Sequence, residues 1–343
     1  MRSIYDLNLE ELEEYLLSIG EKKYRTKQIY SWLYRKRVMS FEEMTDLPTS
    51  LIDKLKNEFL IIPFKELSRQ VSKDGTMKFL FEAEDGSSFE TVLMHFHFGE
   101  SICVSTQVGC NMACSFCASG LLKKKRDLSA GEIVGQVLYV QKILDEAEKR
   151  IGNVVIMGTG EPFDNYDNVL NFAKIINSDH GLAIGARHIT ISTCGIVPKI
   201  KEFSKGKYQY NLAISLHAPN DELRSKLMPI NKAYPLEELM EALREYSIDN
   251  NRRLTFEYIL LHGINDLDEH AVELAKLIKG YNAYVNLIPY NEVDESGYVS
   301  SNEKSALHFY DLLMKNGVKA TLRSKHGEDI DAACGQLRVK YIK

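Results

Sequence analysis

Three cysteines stand within eight residues in the segment TQVGCNMACSFCASGLLKKKR, which runs from Thr106 to Arg126. They are Cys110, Cys114 and Cys117, spaced as C-x3-C-x2-C. Thiolates are soft ligands, and at this density they favour zinc or an iron–sulfur cluster. An odd number of cysteines cannot pair fully as disulfides, and a closed zinc site needs four ligands. The segment therefore indicates a metal centre with an open position or with a ligand from elsewhere in the chain.

Two kinds of metal centre fit this segment. Neither His nor Cys follows it at the spacing usual for a structural zinc site, although Cys103 lies seven residues upstream and in principle supplies a fourth ligand. A cuboidal cluster held by three cysteines leaves one iron open, and catalysis needs such an open position. The alternative to an enzyme with such a cluster is a zinc-binding protein that binds RNA and has no enzymatic activity. Iron would make the purified protein brown, whereas zinc would leave it colourless.

With Phe116 before its third cysteine, the motif resembles that of the radical S-adenosylmethionine (SAM) superfamily. The resemblance implies that Cys110, Cys114 and Cys117 hold a 4Fe–4S cluster, whose fourth iron binds SAM. It also implies reductive cleavage of SAM to a 5′-deoxyadenosyl radical. The cofactor carries this chemistry, while the protein positions it and excludes water.

Other segments resemble the SAM-binding motifs of the same superfamily. MGTGEP resembles a Gly-Glu motif for the SAM amino group, because glycine allows close backbone approach and a carboxylate accepts hydrogen bonds from a cation. ITISTCG, AISLHAP and NLIPYN each end a predicted strand, where the ribose, carboxylate and adenine contacts of the family lie. Singly, each residue is equally an ordinary polar residue of a loop. Together they imply SAM contacts from Gly160, Glu161, Ser192, Ser215, Leu216, His217 and Asn291.

Over essentially its whole length the chain resembles the RlmN/Cfr family of RNA adenosine methyltransferases. Among the segments that carry this resemblance are SKDGTMKFLFE, CVSTQVGC, AISLHAPNDELRSKLMPINK and DIDAACGQL. GEPFDNYDNV is similar to the branch that methylates carbon 2 of adenosine, at the peptidyl transferase centre of 23S rRNA and at adenosine 37 of tRNA. The other branch methylates carbon 8 and remains the alternative. The resemblance also implies an electron donor of flavodoxin type, and we expect a monomer.

The resemblance assigns chemical roles to Cys334, Cys103 and Glu90. Cys334 takes a methyl group from one SAM and becomes S-methylcysteine. A radical from a second SAM removes hydrogen from that methyl group, and the carbon radical adds to the adenine. Glu90 accepts the carbon 2 proton, with Cys103 as the alternative acceptor. Cys103 then attacks the Cys334 sulfur, so a transient disulfide releases the product. Apart from the resemblance, both cysteines read as small buried hydrophobes, and Cys194 as a packed residue without a role.

The composition is that of a globular protein, with 343 residues of which 44% are hydrophobic and 27% charged. No apolar run reaches the roughly 18 residues of a membrane span, and the first residues lack the apolar core of a secretory signal. Six cysteines, three of them clustered, fit a reducing compartment better than a disulfide framework. We therefore predict a cytoplasmic protein.

The net charge of −5 does not by itself indicate a nucleic-acid binder, but the cations are concentrated in two blocks. Local basic patches on an acidic protein still bind phosphates. Solvated helix surfaces are the alternative for either block. The candidate RNA contacts are Lys22, Lys23, Arg25, Lys27, Arg35, Lys36 and Arg37 in the first block, and Lys123, Lys124, Lys125 and Arg126 in the second.

Three regions differ in their periodicity. Residues 1–62 read as a helical domain, because capping-box pairs and apolar residues recur at helical intervals. The first block of cations makes it the candidate RNA-binding domain. Residues 63–100 contain β-prone runs beside Asp-Gly turns and predict a small antiparallel extension. From residue 101 to 343 strands alternate with helices, which predicts an α/β fold with a parallel sheet.

The predicted strands and helices of the third region position the chemistry. The resemblance makes this region a partial (β/α)6 barrel with a C-terminal catalytic loop, although a doubly wound sheet also accommodates six or so units. In both folds, side chains at the carboxyl ends of the strands meet in one site. The predicted strands are ICVST, NVVIMG, HITIST, NLAISLH, LTFEYIL, YVNLIPY and KATLRS, and the predicted helices are 129–149, 165–177, 235–249, 268–279 and 302–316.

Overall fold

The structure, a computed structural model, describes residues 1–292, 296–323 and 330. Its N-terminal part contains three α-helices and two short strands that pair in parallel. The first helix begins at Asn8, whose side chain accepts from the backbone of Glu11 in the predicted capping box. These elements are β1 (Arg2–Ser3), α1 (Leu9–Ser18), α2 (Tyr24–Tyr30), α3 (Thr49–Glu58) and β2 (Phe59–Leu60).

One sheet of ten strands dominates the described residues, with the order β14-β13-β12-β11-β10-β9-β6-β5-β4-β3. Strands β3 to β6 form antiparallel hairpins, and β6 to β14 are parallel. The sheet is thus continuous across the predicted boundary at residue 101. Its strands are β3 (Phe64–Val71), β4 (Met77–Ala83), β5 (Ser88–Phe96), β6 (Gly99–Val104), β9 (Ile151–Ile156), β10 (Ile189–Thr193), β11 (Asn211–Ser215), β12 (Leu254–Leu260), β13 (Ala283–Pro289) and β14 (Ala320–Leu322), and β7 (Gln107–Val108) pairs separately with β8 (Arg126–Asp127).

The order of the parallel strands decides between the two predicted folds. A doubly wound sheet reverses its strand order at a switch point. Here each parallel strand lies beside the previous one along the chain, as in a barrel. The partial barrel predicted from the sequence is therefore confirmed.

Seven helices connect the parallel strands in the described residues. The five predicted helices are present, whereas α6 and the short α7 were not predicted. No described helix has the length and apolar character needed to cross a membrane. The helices are α4 (Ala130–Asp145), α5 (Tyr166–Asn177), α6 (Val197–Lys205), α7 (Asp221–Leu227), α8 (Leu236–Asn250), α9 (Asp268–Leu277) and α10 (Glu303–Lys315).

The N-terminal part packs along α4. At the start of that helix the Asp6 carboxylate accepts from the backbone of Gly131 at 2.6 Å, and a Cβ added to Gly131 would lie 2.6 Å from the Cβ of Ser3. At its end Arg37 donates to Asp145 at 2.5 Å. Because α4 follows β6 and returns before β9, Arg37 lies at the amino edge of the parallel strands, opposite the edge where their carboxyl ends meet.

Candidate active site

A cavity of about 350 Å³ opens at the carboxyl ends of the parallel strands. The three cysteines of the motif line it, and so does Cys103. Every predicted SAM contact also lines it, except Leu216, whose side chain is buried. Strands far apart in sequence thus bring the predicted site residues to one place.

The cysteine loop is held by close backbone packing on both sides. Gly109 has a φ of +79°, and a Cβ there would clash with the carbonyl oxygen of Lys123. Within the loop, the backbone N–H of Ser115 donates to the carbonyl of Leu227, at the end of α7, at 2.9 Å. The loop is therefore anchored between its own return segment and a helix that comes more than 100 residues later.

The three thiols fit a cluster. They influence one another's ionisation, and burial raises the pKa of Cys110 to about 12 and holds that of Cys114 well above its usual range. Coordination to a cation deprotonates such thiols. Across the described part of the chain, no three His, Cys, Asp or Glu residues are grouped as ligands of a single metal ion. A cuboidal cluster does not require such grouping, because each cysteine binds a different iron.

Glu161 joins the loops that follow two neighbouring strands. Its carboxylate accepts from the backbone of Phe163 at 2.9 Å and from that of Cys194 at 2.8 Å. Burial raises the pKa of Glu161, while the hydrogen bonds from Thr193 and Cys194 oppose that shift. Gly160 before it has a φ of +112°, and a Cβ there would lie 2.6 Å from the Cβ of Gln107, inside the cavity wall. Both the positive φ and the close approach of Gln107 require glycine at this position.

His217 lies in the left-handed region, with a φ of +57°, directly after β11. Its Nδ1 accepts from the backbone of Ile259 at 3.0 Å, and its ring meets that of Phe116 edge to face at 4.9 Å. Burial, assisted by Arg224, lowers the pKa of His217 to about 3. The imidazole is therefore neutral, with its proton on Nε2.

The serine hydroxyls of the predicted SAM site meet across two strands. The Oγ atoms of Ser192 and Ser215 lie 3.5 Å apart, and both residues line the cavity. Asn291, the predicted contact after β13, is exposed and lines the cavity as well. Leu216 contacts the neighbouring strand through its backbone: its N–H donates to the carbonyl of Glu257 on β12 at 3.1 Å. Hydroxyl, amide and backbone groups thus line this wall.

Cys103 and Glu90 lie on one face of the sheet. Lys78, Val92, Cys103 and Val155 are directly opposite one another on four adjacent strands, and Glu90 is two residues before Val92. Residues so related share a face. Cys103 lines the cavity, whereas Glu90 lies just beyond its lining and is 4% exposed. The remaining predicted catalytic residue, Cys334, falls outside the described residues.

Comparisons with known proteins agree with this geometry. Residues 104–277 match the family profile described as the radical SAM superfamily, and residues 3–61 match the ribosomal RNA large subunit methyltransferase N-terminal domain. A protein from Streptococcus suis named "Probable dual-specificity RNA methyltransferase RlmN" is 55% identical over 99% of this chain and 94% of its own. The chain belongs to the RlmN family of the radical SAM superfamily. Its cofactors are accordingly a 4Fe–4S cluster and SAM.

Two further relatives support the same membership. The protein of the same name from Geobacillus thermodenitrificans is 57% identical over 99% of this chain and 94% of its own. Among solved structures, a radical SAM methyltransferase from Sphaerobacter thermophilus superposes with a TM-score of 0.95 at 42% identity, and the match covers 98% of this chain and 99% of that one. This chain and the Sphaerobacter thermophilus protein therefore share the whole fold, including the N-terminal helices.

Two buried charged residues beside the cavity were not predicted. Glu257 on β12 lines the cavity and is 3% exposed; Asn286 donates to its carboxylate at 2.8 Å. Burial raises the pKa of Glu257 to about 7, although Arg323 opposes the shift. Lys78 is fully buried, with its Nζ 3.6 Å from the Glu90 carboxylate. A charged residue inside an apolar run, as in LTFEYIL and MKFLFEA, is the sequence signal that could have identified both.

In the second block of cations, exposed lysines alternate with cations that pair with acidic side chains of the protein. Lys124 pairs with Asp127 and Asp164 at 2.8 and 2.9 Å, and Arg126 contacts two further acids, Asp85 and Glu132. Lys123 and Lys125 are exposed instead, and neither has an ion pair with any described residue. Two of the four cations, Lys124 and Arg126, are thus engaged in ion pairs within the protein.

Most of the first block is also engaged within the protein. Lys23 pairs with Glu13, Arg25 lies near Glu21, and Arg37 pairs with Asp145. The Lys36 ammonium lies 3.1 Å from the centre of the Trp32 ring. Arg35 is exposed and reaches the carbonyl of Asp179. Lys22 and Lys27 are exposed, and neither forms an ion pair in the described structure.

Proposed function

We propose that this protein is a radical SAM methyltransferase that methylates carbon 2 of adenosine in 23S rRNA and at adenosine 37 of tRNA. The observation that carries the proposal is the single cavity in which the three cysteines, the SAM-site residues and Cys103 meet. The substrates are inferred from the relatives, whose names describe dual-specificity RNA methyltransferases. Methylation of these RNAs would take place in the cytoplasm.

Cys110, Cys114 and Cys117 would hold the cluster, and the opposite strand ends would bind SAM. When bound, these cofactors supply an electron and a radical that removes hydrogen. The protein contributes the hydroxyls of Ser192 and Ser215 and the carboxylate and amide groups around them, which orient a polar ligand. The neutral His217 adds an N–H donor without adding positive charge beside a sulfonium. A flavodoxin-type protein would donate the electron to a monomeric enzyme.

Three residues would handle the substrate. Cys334 accepts a methyl group and later forms a bond from its methylene carbon to carbon 2 of the adenine. Glu90 accepts the carbon 2 proton as the adduct gives up its unpaired electron, for which the cluster would be the acceptor. The Cys103 thiolate then attacks the Cys334 sulfur, the bond between sulfur and methylene carbon breaks, and its electron pair stays on the carbon, which is protonated to the methyl product. The resulting disulfide is reduced before the next turnover.

The test is methylation of a 23S rRNA fragment and of tRNA by the iron-reconstituted protein with methyl-labelled SAM and a reducing system. We expect 2-methyladenosine in the digested RNA, and none in RNAs whose target adenosine is replaced by guanosine. Cys334→Ala should take up no methyl group, and Cys103→Ala should accumulate a covalent RNA adduct. Formation of 8-methyladenosine would overturn the proposed position, and normal turnover by Cys334→Ala would overturn the mechanism.

A further inference from the structure

Arg224 on α7 is a fully buried cation beneath the cavity. Its guanidinium donates to the carbonyls of Cys194 at 2.7 Å, Leu216 at 3.2 Å and Ser215 at 3.3 Å, and to the side-chain oxygen of Asn231 at 2.8 Å. These four acceptors are all neutral. The contacts tie together the ends of β10 and β11, where the proposed SAM contacts lie.

No carboxylate of the described residues lies within ion-pair distance of Arg224. Asp221, exposed at the start of α7, favours the charged guanidinium from beyond ion-pair distance, and the amide of Asn231 between them donates to the Asp221 carboxylate at 2.8 Å. Solvent screens such an exposed charge. Buried charges in proteins are normally paired, because an isolated one costs several kcal/mol in lost solvation. The fold therefore retains a buried positive charge that its nearby carboxylates do not neutralise.

The cysteine loop would carry negative charge near Arg224 once a cluster is bound. Arg224 lies one helical turn before Leu227, whose carbonyl accepts from Ser115 inside the loop. Cys194, whose carbonyl accepts from the Arg224 guanidinium, lines the cavity together with the three cysteines of the loop. With three thiolates bound, a 4Fe–4S cluster has a net negative charge, and reduction adds to it. Cluster and guanidinium are thus complementary in charge.

We propose that Arg224 is the buried counter-charge of the cluster and raises its reduction potential, while it positions the strand ends that bind SAM. A positive charge in a poorly solvated region stabilises the more negative, reduced cluster more than the oxidised one. Reduction of the cluster is the step that an external electron donor must drive. This inference rests on the proposed function only in requiring that the cluster be present.

The experiment is a redox titration of the reconstituted protein without RNA, monitored by the electron paramagnetic resonance of the reduced cluster. Arg224→Gln keeps hydrogen-bond donors but removes the charge. We expect its ratio of reduced to oxidised cluster to fall about tenfold at a fixed potential, a shift of about 59 mV for one electron. Arg224→Lys keeps the charge, and its potential should stay close to that of the parent protein.

Lys226→Gln is the matched control, because it removes an exposed cation two residues further along the same helix. Its potential should not change. An unchanged potential in Arg224→Gln, or an equal shift in Lys226→Gln, would overturn the inference. If Arg224→Gln does not fold, Arg224→Lys decides: a parental potential supports the charge argument, and a shift to more negative values contradicts it. Failure of the parent protein to assemble a cluster would instead refute the proposed function.

Discussion

Burial shifts the charge states of two titratable side chains that line the cavity, His217 and Glu257. His217 is held neutral, because desolvation and Arg224 both disfavour the imidazolium. Glu257 is held close to the midpoint of its titration near neutral pH. The residue types could be read from the sequence, but these charge states depend on neighbours from other strands. Only His217 was predicted as a site residue.

The raised pKa of Glu257 makes stability depend on pH. Between the unfolded pKa of about 4.5 and the folded value of about 7, the folded state binds more protons than the unfolded state. This contribution to stability is therefore complete below about pH 4.5 and is lost as pH rises through 7. Glu257→Gln should gain stability relative to the parent as pH rises from 5 to 8, by up to roughly 3 kcal/mol.

Urea unfolding of the ligand-free protein at both pH values measures this difference. Glu14→Gln removes an exposed carboxylate and serves as the control, with little change expected at either pH. If Glu257→Gln gives the same difference from the parent at pH 5 and pH 8, burial does not raise the pKa as the structure indicates.

Lys78 and Glu90 form a buried pair whose members should depend on each other. Removing one partner of a buried ion pair typically costs about 3–5 kcal/mol. Lys78→Met should therefore be strongly destabilised, and Lys78→Met/Glu90→Gln should recover part of the loss. Urea unfolding of both single variants and of the double variant measures the coupling. Additive effects would show that the two side chains act independently.

Among the elements, strands with apolar and β-branched runs were predictable, and LTFEYIL and MKFLFEA coincide with β12 and β4. β3 escaped prediction because its residues are mostly polar and include no apolar run, although their burial alternates along the strand. α7 has only seven residues, too few for a helical period to be recognised. The cysteine motif predicted a cluster loop from sequence alone, and this loop lines the cavity. Its anchoring by α7 could not be predicted, because it depends on packing between distant segments.

The cysteine loop also depends on the backbone conformation of a single glycine and on the absence of a side chain there. Gly109 and Gly86 both have positive φ, but a Cβ at Gly86 would meet nothing within 4 Å, whereas one at Gly109 would clash with the Lys123 carbonyl. Gly86→Ala should therefore cost only the strain of a left-handed alanine, about 1–2 kcal/mol. Gly109→Ala should in addition displace the loop and lower the iron bound per protein after reconstitution. Equal iron content in the two variants would contradict this role.

At the scale of the whole molecule, the N-terminal helices span the barrel from one edge to the other. The cations of the first block that follow α2 lie at the amino edge of the parallel strands. Arg37 reaches the end of α4, and Arg35 reaches Asp179 just past α5. α4 is 16 residues long, or about 24 Å. The two basic blocks were predicted together as RNA contacts, but charge patterning alone could not show that the fold separates part of the first block from the cavity.

Exposed lysines near the cysteine loop that form no ion pair with a described residue should therefore dominate RNA binding near the site. Lys123 and Lys125 have these properties, whereas Lys124 between them is engaged with two acids. Lys123→Gln/Lys125→Gln should weaken RNA binding and reduce the slope of log affinity against log salt concentration by about 0.7–0.9 for each RNA phosphate that the variant no longer neutralises. Filter binding over a range of salt concentrations measures the slope. Arg35→Gln at the opposite edge is the control. A larger reduction of the slope with Arg35→Gln than with the lysine pair would place the RNA on the other face of the protein.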